Sequence, residues 1–335
     1  MSISKPAATF AREGSTPSPT GPLDMTQAGV RRCSVELSVD ESHDRVELVI
    51  WNRSVLADTA PDASLTVGLG FGDDLSDVLT VDVHSVEIGS RWTILTGFAP
   101  SRRMSSTFLG RSYNSQTLAD VVVDLLGEAD VEGGKIEAAL MLPAFHVDPR
   151  RSVWGHLHAL GRRFGHQVTS TASGAVSFSP APGASGGGLG GGLTNLETSL
   201  PARLPFGSDD LREGAELMSF AAGPRSTTRS TASVSPSAPS AWYLLAAEPD
   251  SGSGTPVEVD PVLRSREAVD VATQAGEAAA SRRSQRMRAR VPGRSSLRAG
   301  AVISARGEPH RVLFVRHLLD ARDGYVCDLV MEGGR

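Results

Sequence analysis

Apolar and polar residues alternate with a period of two along many short runs of this chain, the pattern of half-buried β-strands. Cys33-Ser-Val-Glu-Leu-Ser-Val39 is the first such run, and Val46-Glu-Leu-Val-Ile-Trp51 resumes it after a turn-like Asp40–Asp44. Leu65-Thr-Val-Gly-Leu-Gly-Phe71 predicts a third strand, with glycines that favour bends or bulges. Val78–Ile88 and Trp92–Thr96 predict a hairpin across Gly89-Ser90. So many strands in so short a stretch predict a small barrel or curled sheet over 31–105.

The period then changes. Leu118, Val121, Val122, Leu125 and Leu126 share one helical face, with Ser115 or Thr117 placed to cap it. Val153, Trp154, Leu157, Leu160 and Phe164 predict a second helix opened near Ser152 and closed by Gly165. Gln167–Thr171 and Ala175–Ser179 predict a hairpin across Ser173-Gly174, which makes 106–181 an α/β subdomain. A Gly-rich linker occupies 182–206. Residues 207–335 predict a second β unit, with strands near Val302, Arg311–Val315 and Tyr325–Met331. It carries an Ala-rich helix over about 264–288, whose small face includes Ala268, Ala272, Ala275 and Ala279, and a Ser/Pro-rich loop at 224–240. Residues 1–30 are rich in Ser, Thr, Pro and Gly, which predicts disorder or an extended arm. The fold class predicted is therefore α+β, mainly β: two small barrel-like units with an inserted α/β subdomain. One internal echo supports a pair of related units. Val83–Leu95 and Val315–Leu329 each read as a strand, a short polar turn, an aromatic residue and an alternating return strand.

Composition narrows the functions. Of 335 residues 40% are apolar, and the net charge of −5 gives no global basic field for nucleic acid. No stretch approaches the roughly 20 apolar residues that span a bilayer, and the N-terminus has no apolar signal core; both predict a soluble cytoplasmic protein. Cys33 and Cys327 lie far apart and outside any CxxC pattern, so their pairing stays open while a zinc or redox motif is excluded.

Candidate chemistry is sparse. Gly183-Ala-Ser185-Gly-Gly187 matches G-x-S-x-G by letters, but a nucleophile elbow needs a strand before it and a helix after it. His156 and His158 point to different helical faces, and His146 and His166, the histidines nearest to them in sequence, are the other candidates for a shared site. Asp73-Asp74 and Asp209-Asp210 read as turn formers. Arg282, Arg283, Arg286, Arg288, Arg290, Arg294 and Arg298 read as a solvated helix end, or second as a surface for an acidic partner. Trp51, Trp92, Trp154 and Trp242 read as core or interface anchors. We therefore expect no catalytic, cofactor-binding or metal-binding residues, and no cofactor.

Four blocks carry a family resemblance. Gly110–Leu126 has a short strand and then S-x-T-hydrophobic-x-D opening a helix. Ser152–Gly165 with the hairpin ending Val176-Ser-Phe-Ser-Pro180 follows a W-x-x-L-x-x-L pattern. Leu65–Glu87 precedes them, with Asp82 where the pattern has Gly; Ser296–Gly300 and His317–Leu329 follow, with Ala299 where it has Pro. In this order the blocks resemble the phage late control protein D family, which includes baseplate hubs of contractile phages and the N-terminal hub part of type VI secretion VgrG spike proteins. Residues 207–255 match the pattern poorly. The resemblance implies a homotrimer that presents a pseudo-sixfold ring. It would dock a hexameric tube protein on one face and a separate spike protein on the other, among other baseplate subunits, first in the cytoplasm and then in a virion or tail-like particle. A tail-carried cell-wall hydrolase and a monomeric adhesin are the rival readings.

Overall fold

The structure, a computed structural model, describes residues 5–12, 23–182, 210–211, 217–222, 234–235, 246–247, 262–283, 286–320 and 322–333. The strands in chain order are β1 (Pro6–Arg12), β2 (Leu23–Asp24), β3 (Val30–Ser38), β4 (Arg45–Trp51), β5 (Ser64–Phe71), β6 (Asp74–Ile88), β7 (Trp92–Phe98), β8 (Arg111–Thr117), β9 (Gly133–Ile136), β10 (Met141–Val147), β11 (His166–Ser170), β12 (Val176–Pro180), β13 (Asp210–Leu211), β14 (Ser219–Ala222), β15 (Val234–Ser235), β16 (Ala246–Ala247), β17 (Arg286–Pro292), β18 (Val302–Ala305), β19 (Glu308–Asp320) and β20 (Gly324–Gly333). The helices are α1 (Arg103–Ser106), α2 (Leu118–Glu128), α3 (Val153–Phe164) and α4 (Arg266–Arg283). The chain is mainly β with helices set between strands, the class its patterning predicts.

Strands from both ends of the sequence join in one sheet of 13, ordered β14-β17-β20-β19-β3-β4-β7-β6-β5-β1-β2, with β18 on β19 and β13 on β18. It is not closed into a barrel. The junction is antiparallel pairing of β3 with β19, from Phe314↔Ser38 to Asp320↔Arg32. The inward side of each strand supplies the core. Val46, Leu48 and Ile50 of β4, Leu65, Val67 and Leu69 of β5, and Val312 and Val315 of β19 are buried in one apolar cluster with Val291, Cys327 and Leu329. Burying each of the larger aliphatic side chains contributes about 1.5–3 kcal/mol.

The N-terminal segment, expected to be disordered or an extended arm, contains a docked strand. Residues 6–12 form β1 along β5, and Ala8 and Phe10 are buried. Composition averaged over thirty residues hid one seven-residue strand whose backbone bonds and single large aromatic are enough to dock it.

A second apolar core gathers Leu118, Val121, Leu125, Leu157, Leu160 and Phe178 together with Val262, Leu263, Ala268 and Val269 around the start of α4. Thr117, not Ser115, caps α2. Its hydroxyl accepts from the Asp120 amide at 3.1 Å while the Asp120 carboxylate accepts from the Thr117 amide at 3.2 Å, a reciprocal capping box. Thr117→Ala should therefore lower stability by about 1 kcal/mol, read as a shift in the denaturation midpoint. α3 starts at Ser152 and ends at Gly165 with φ +70°, a left-handed closure that favours glycine.

The Ala-rich helix ends earlier than its composition predicts. α4 stops at Arg283 and β17 begins at Arg286. Arg288 and Arg290 therefore belong to a strand, where the run Met287, Ala289, Val291 supplies the inward face. The arginine run is thus not a single solvated helix end.

Candidate assembly surface

The two ends of the sheet repeat one topology. In the first unit the strands lie in the order β3-β4-β7-β6-β5, and in the second in the order β14-β17-β20-β19-β18. Each consists of two antiparallel strands followed by a three-strand meander that folds back so that its last strand pairs with the second strand. This is a Greek-key arrangement. The likeness extends to single residues. β6 carries one extra residue against β7 between Val83 and Ser85, and β19 carries one against β20 between Val312 and Phe314. Superposing these bulges makes Val83 equivalent to Val312, Val86 to Val315 and Ile88 to His317. Following the pairings outward makes Val49 equivalent to Arg290, Arg32 to Ser219 and Val35 to Ala222. A second irregularity repeats as well. β3 slips register between Val30 and Arg32, and Met218 N–H donates to Arg290 O at 2.8 Å beside the Ser219–Arg290 pair. The echo read by letters matched Val83 with Val315. The bulges show an offset of three residues from that match, because the β19–β20 turn lies farther from its bulge.

The units differ at one edge. The C-terminal half of β19 is covered by β3, and there Val315 and His317 are fully buried. The C-terminal half of β6 pairs with β7 on one edge and with no strand on the other among the described residues. Its Ile88, equivalent to His317, is 74% exposed, and Val86 is only half-buried. Gly89 N–H donates to Trp92 O at 2.9 Å, so the amides of Gly89, Glu87 and Ser85 face β7 and those of Val86 and Ile88 face outward. Nearby on the outer side of the sheet, Trp51 stacks on Trp92 with centroids 3.9 Å apart, and Arg31 lies over the Trp92 ring. Trp51 is 52% exposed and Ile94 is also exposed, so this tryptophan pair is surface material rather than core. Trp154 packs against the subdomain core, and Trp242 lies outside the described residues.

The residues weighed for chemistry are dispersed. His146 Nδ1 lies 2.8 Å from Ser112 Oγ, His156 Nε2 donates to Asp148 O at 3.0 Å, and His158 faces Asp40 at 3.7 Å. His166 sits between the carbonyls of Phe164 and Glu137. Among the described residues no three His, Cys, Asp or Glu side chains are grouped to hold a metal. Asp73 and Asp74 lie at the β5–β6 turn, as read; Ser185 and Asp209 lie outside the described residues, and Asp210 opens β13. The arginines divide among separate tasks. Arg290 pairs with Asp328 across β17 and β20 at 2.6 Å, Arg298 donates to the carbonyls of Val78 and Asp77, and Arg282 meets Glu332. Arg282, Arg286 and Arg311 line a cavity of about 600 Å³ between α3, β11 and α4. Composition could not separate them, since each is an arginine in a run of arginines.

A buried polar cluster had no signal in the sequence. Cys33 and Cys327 are both free and buried. Cys327 Sγ lies 3.3 Å from His317 Nδ1, which is 2.9 Å from the Tyr325 hydroxyl, and His317 Nε2 donates to Leu297 O at 3.1 Å. Burial raises the Cys327 thiol to about 12 and lowers the imidazole to about 3. Both groups are neutral at ordinary pH, so this is not a thiolate–imidazolium pair; it holds the second unit together.

No family model and no curated protein matches the sequence. The fold itself is that of bacteriophage tail and type VI secretion proteins. The chain is similar to the tail protein from Neisseria meningitidis MC58, with 13% identity over 98% of this chain and 96% of that one and a TM-score of 0.66. It is also similar to the 43 kDa tail protein of prophage MuSo2 from Shewanella oneidensis, with 10% identity, 97% of each chain covered and a TM-score of 0.63. The third is the E. coli c3393 protein, a component of the type VI secretion system with structural similarity to the T4 tail proteins gp27 and gp5. Identity there is 10%, over 97% of this chain and 77% of that one, with a TM-score of 0.60. At the level of fold, these likenesses agree with the resemblance carried by the four sequence blocks.

Proposed function

We propose that this chain is a structural, non-enzymatic baseplate-hub subunit of a contractile phage-tail-like particle or injection system, which joins the hexameric inner tube to a trimeric spike as a homotrimer. The observation that carries the reading is the repeated five-strand topology with its matching β-bulge. Three copies of a chain that contains two like units present six like surfaces, which is what a threefold spike and a sixfold tube need in an adapter. The shared fold with two phage tail proteins and a type VI secretion component supports the same reading. In this division 31–105 and 207–335 are the two ring-forming units, 106–181 is the subdomain set between them and 182–206 is the linker. The other partners are tube, spike and neighbouring baseplate subunits, met in the cytoplasm during assembly and then within the particle. Among the described residues no helix is long and apolar enough to cross a membrane.

Mass measurement of the purified full chain should give a trimer at micromolar concentration, and the trimer should retain the tube protein encoded with it. A monomer at high concentration that binds no tube protein would remove this reading.

A further inference from the structure

The internal repeat shows what belongs on the bare edge of β6. Within the chain, the C-terminal half of β19 is paired by β3, the first strand of the other unit. β6 is the equivalent of β19, and the equivalent of β3 is β14, the strand that ends the sheet among the described residues. Among the described residues each chain thus carries one occupied junction and both halves of an unoccupied one. Among the described residues these halves do not meet within the chain, where the two units are joined through β3 and β19 instead. They can meet between chains.

We propose that β14 of one copy pairs antiparallel with the C-terminal half of β6 in the next copy, repeating the β3–β19 junction between subunits. This rests on the trimer reading above and names its contact. The register follows from the equivalences. Val35 pairs with His317 inside the chain, so Ala222 of one copy lies opposite Ile88 of the next. Hydrogen-bond direction agrees: Val39 N–H donates to Leu313 O at 3.0 Å, which turns the odd-numbered amides of β3, Val35 included, toward β19, and the Ile88 amide faces outward on β6. Burial agrees too. Val315 and His317 are covered where β3 lies on them, whereas Val86 and Ile88 are the same positions uncovered. A head-to-tail contact of this kind uses two different surfaces and closes into a ring when the rotation between copies is cyclic, as the trimer reading requires.

The test uses the full chain carrying both Ile88→Cys and Ala222→Cys. Directly opposed residues have Cα atoms about 5.5 Å apart, within disulfide range. The native cysteines are buried and do not compete. Oxidation should give covalent dimer and trimer on a non-reducing gel, with trimer the largest species, while each single variant stays monomeric. A trimer by mass that fails to cross-link would overturn this junction and leave the trimer reading standing. A fast-migrating monomer, cross-linked within itself, overturns it as well, and cross-linking of Ile88→Cys alone would mean a twofold contact instead. If the unmodified chain is a monomer at high concentration, the trimer reading fails and the junction with it. As a second measure, Ile88→Lys changes an exposed side chain, so circular dichroism should be unchanged while the trimer is lost; a trimer that persists counts against the junction.

Discussion

Glu332→Gln should destabilise the fold by about 3–5 kcal/mol, one of the largest losses expected from a single substitution in this chain. Glu332 lies on β20 and is almost wholly buried. Its Oε1 accepts from Arg282 Nε of α4 at 3.2 Å and from Arg311 Nη1 of β19 at 2.9 Å. Arg311 also donates through Nε to Gln167 Oε1 of β11 at 3.0 Å. One carboxylate thus ties the helix, the sheet and the inserted subdomain together. Both guanidiniums are nearly as buried as the acid, with side-chain exposures of 6% for Arg282 and 12% for Arg311. Burial pushes the Arg311 guanidinium down, Glu332 holds it up and Arg282 pushes it down again. A neutral amide removes the anion and leaves two like charges facing each other out of water, which is the costly half of a buried ion pair. Urea denaturation of wild type and variant at equal slope measures the loss. Adding Arg282→Met should recover part of it, since the second substitution removes one of the stranded cations.

Much of this architecture was legible in the sequence, because most of its signals are local. The alternation of Val46, Leu48 and Ile50, the helical face of Leu118, Val121 and Leu125, and the caps at Thr117, Ser152 and Gly165 each act within a few residues. The hairpin echo was also local and carried the repeat. What the sequence hid is long-range. β3 and β19 are joined across most of the chain, and no run of residues in either shows which strand it will pair with. β1 hid in a polar segment because a single Phe10 anchors it. The three-residue offset between letters and bulges arises because turn length varies freely outside the sheet, whereas a bulge is fixed by the register on both sides of it.

The bare β6 edge was illegible for a different reason. Val86 and Ile88 continue an ordinary alternation, and in sequence they look like any other buried pair. Only comparison with Val315 and His317, whose neighbour strand is present, shows that no neighbour strand lies there among the described residues. The exposed Trp51–Trp92 pair lies at the same end of the sheet, on its outer side. Under the hub reading proposed above, an adapter with two like units needs two junctions alike in backbone, and the bulges beside them match. Such an adapter would need only one junction to form before assembly, which fits the difference in side chains. The position that is polar and sealed in one unit, His317, is apolar and open in the other, Ile88.

That sealed histidine makes stability sensitive to acid. His317 is fully buried, and desolvation above all, with the nearby Arg298 charge second, lowers its pKa from 6.5 to about 3. Leu297 O can only accept, so the neutral ring carries its proton on Nε2 and accepts a hydrogen bond from the Tyr325 hydroxyl at Nδ1. A second proton on Nδ1 would reverse the Tyr325 hydrogen bond and leave an imidazolium buried near the Arg298 cation. In the unfolded chain the imidazole titrates near its ordinary value, so below about pH 6.5 the unfolded state binds a proton that the folded state refuses. The folded state's advantage is complete above pH 6.5 and is lost as the pH falls toward 3. At pH 4 the loss from this one group is about 3 kcal/mol. Asp44 runs the other way: burial raises its carboxyl to about 7, so acidification below that value relieves a buried charge. Comparing wild type with His317→Gln cancels that contribution and those of the other carboxylates. Glutamine can still donate to Leu297 O and accept from Tyr325, so the variant should lose about 1–2 kcal/mol at pH 7 from imperfect packing and hydrogen-bond geometry. Its stability should then fall less steeply than wild type between pH 7 and pH 4, and the two denaturation midpoints should converge or cross. Parallel midpoints across that range would mean that His317 takes up its proton in the folded protein as readily as in the unfolded one.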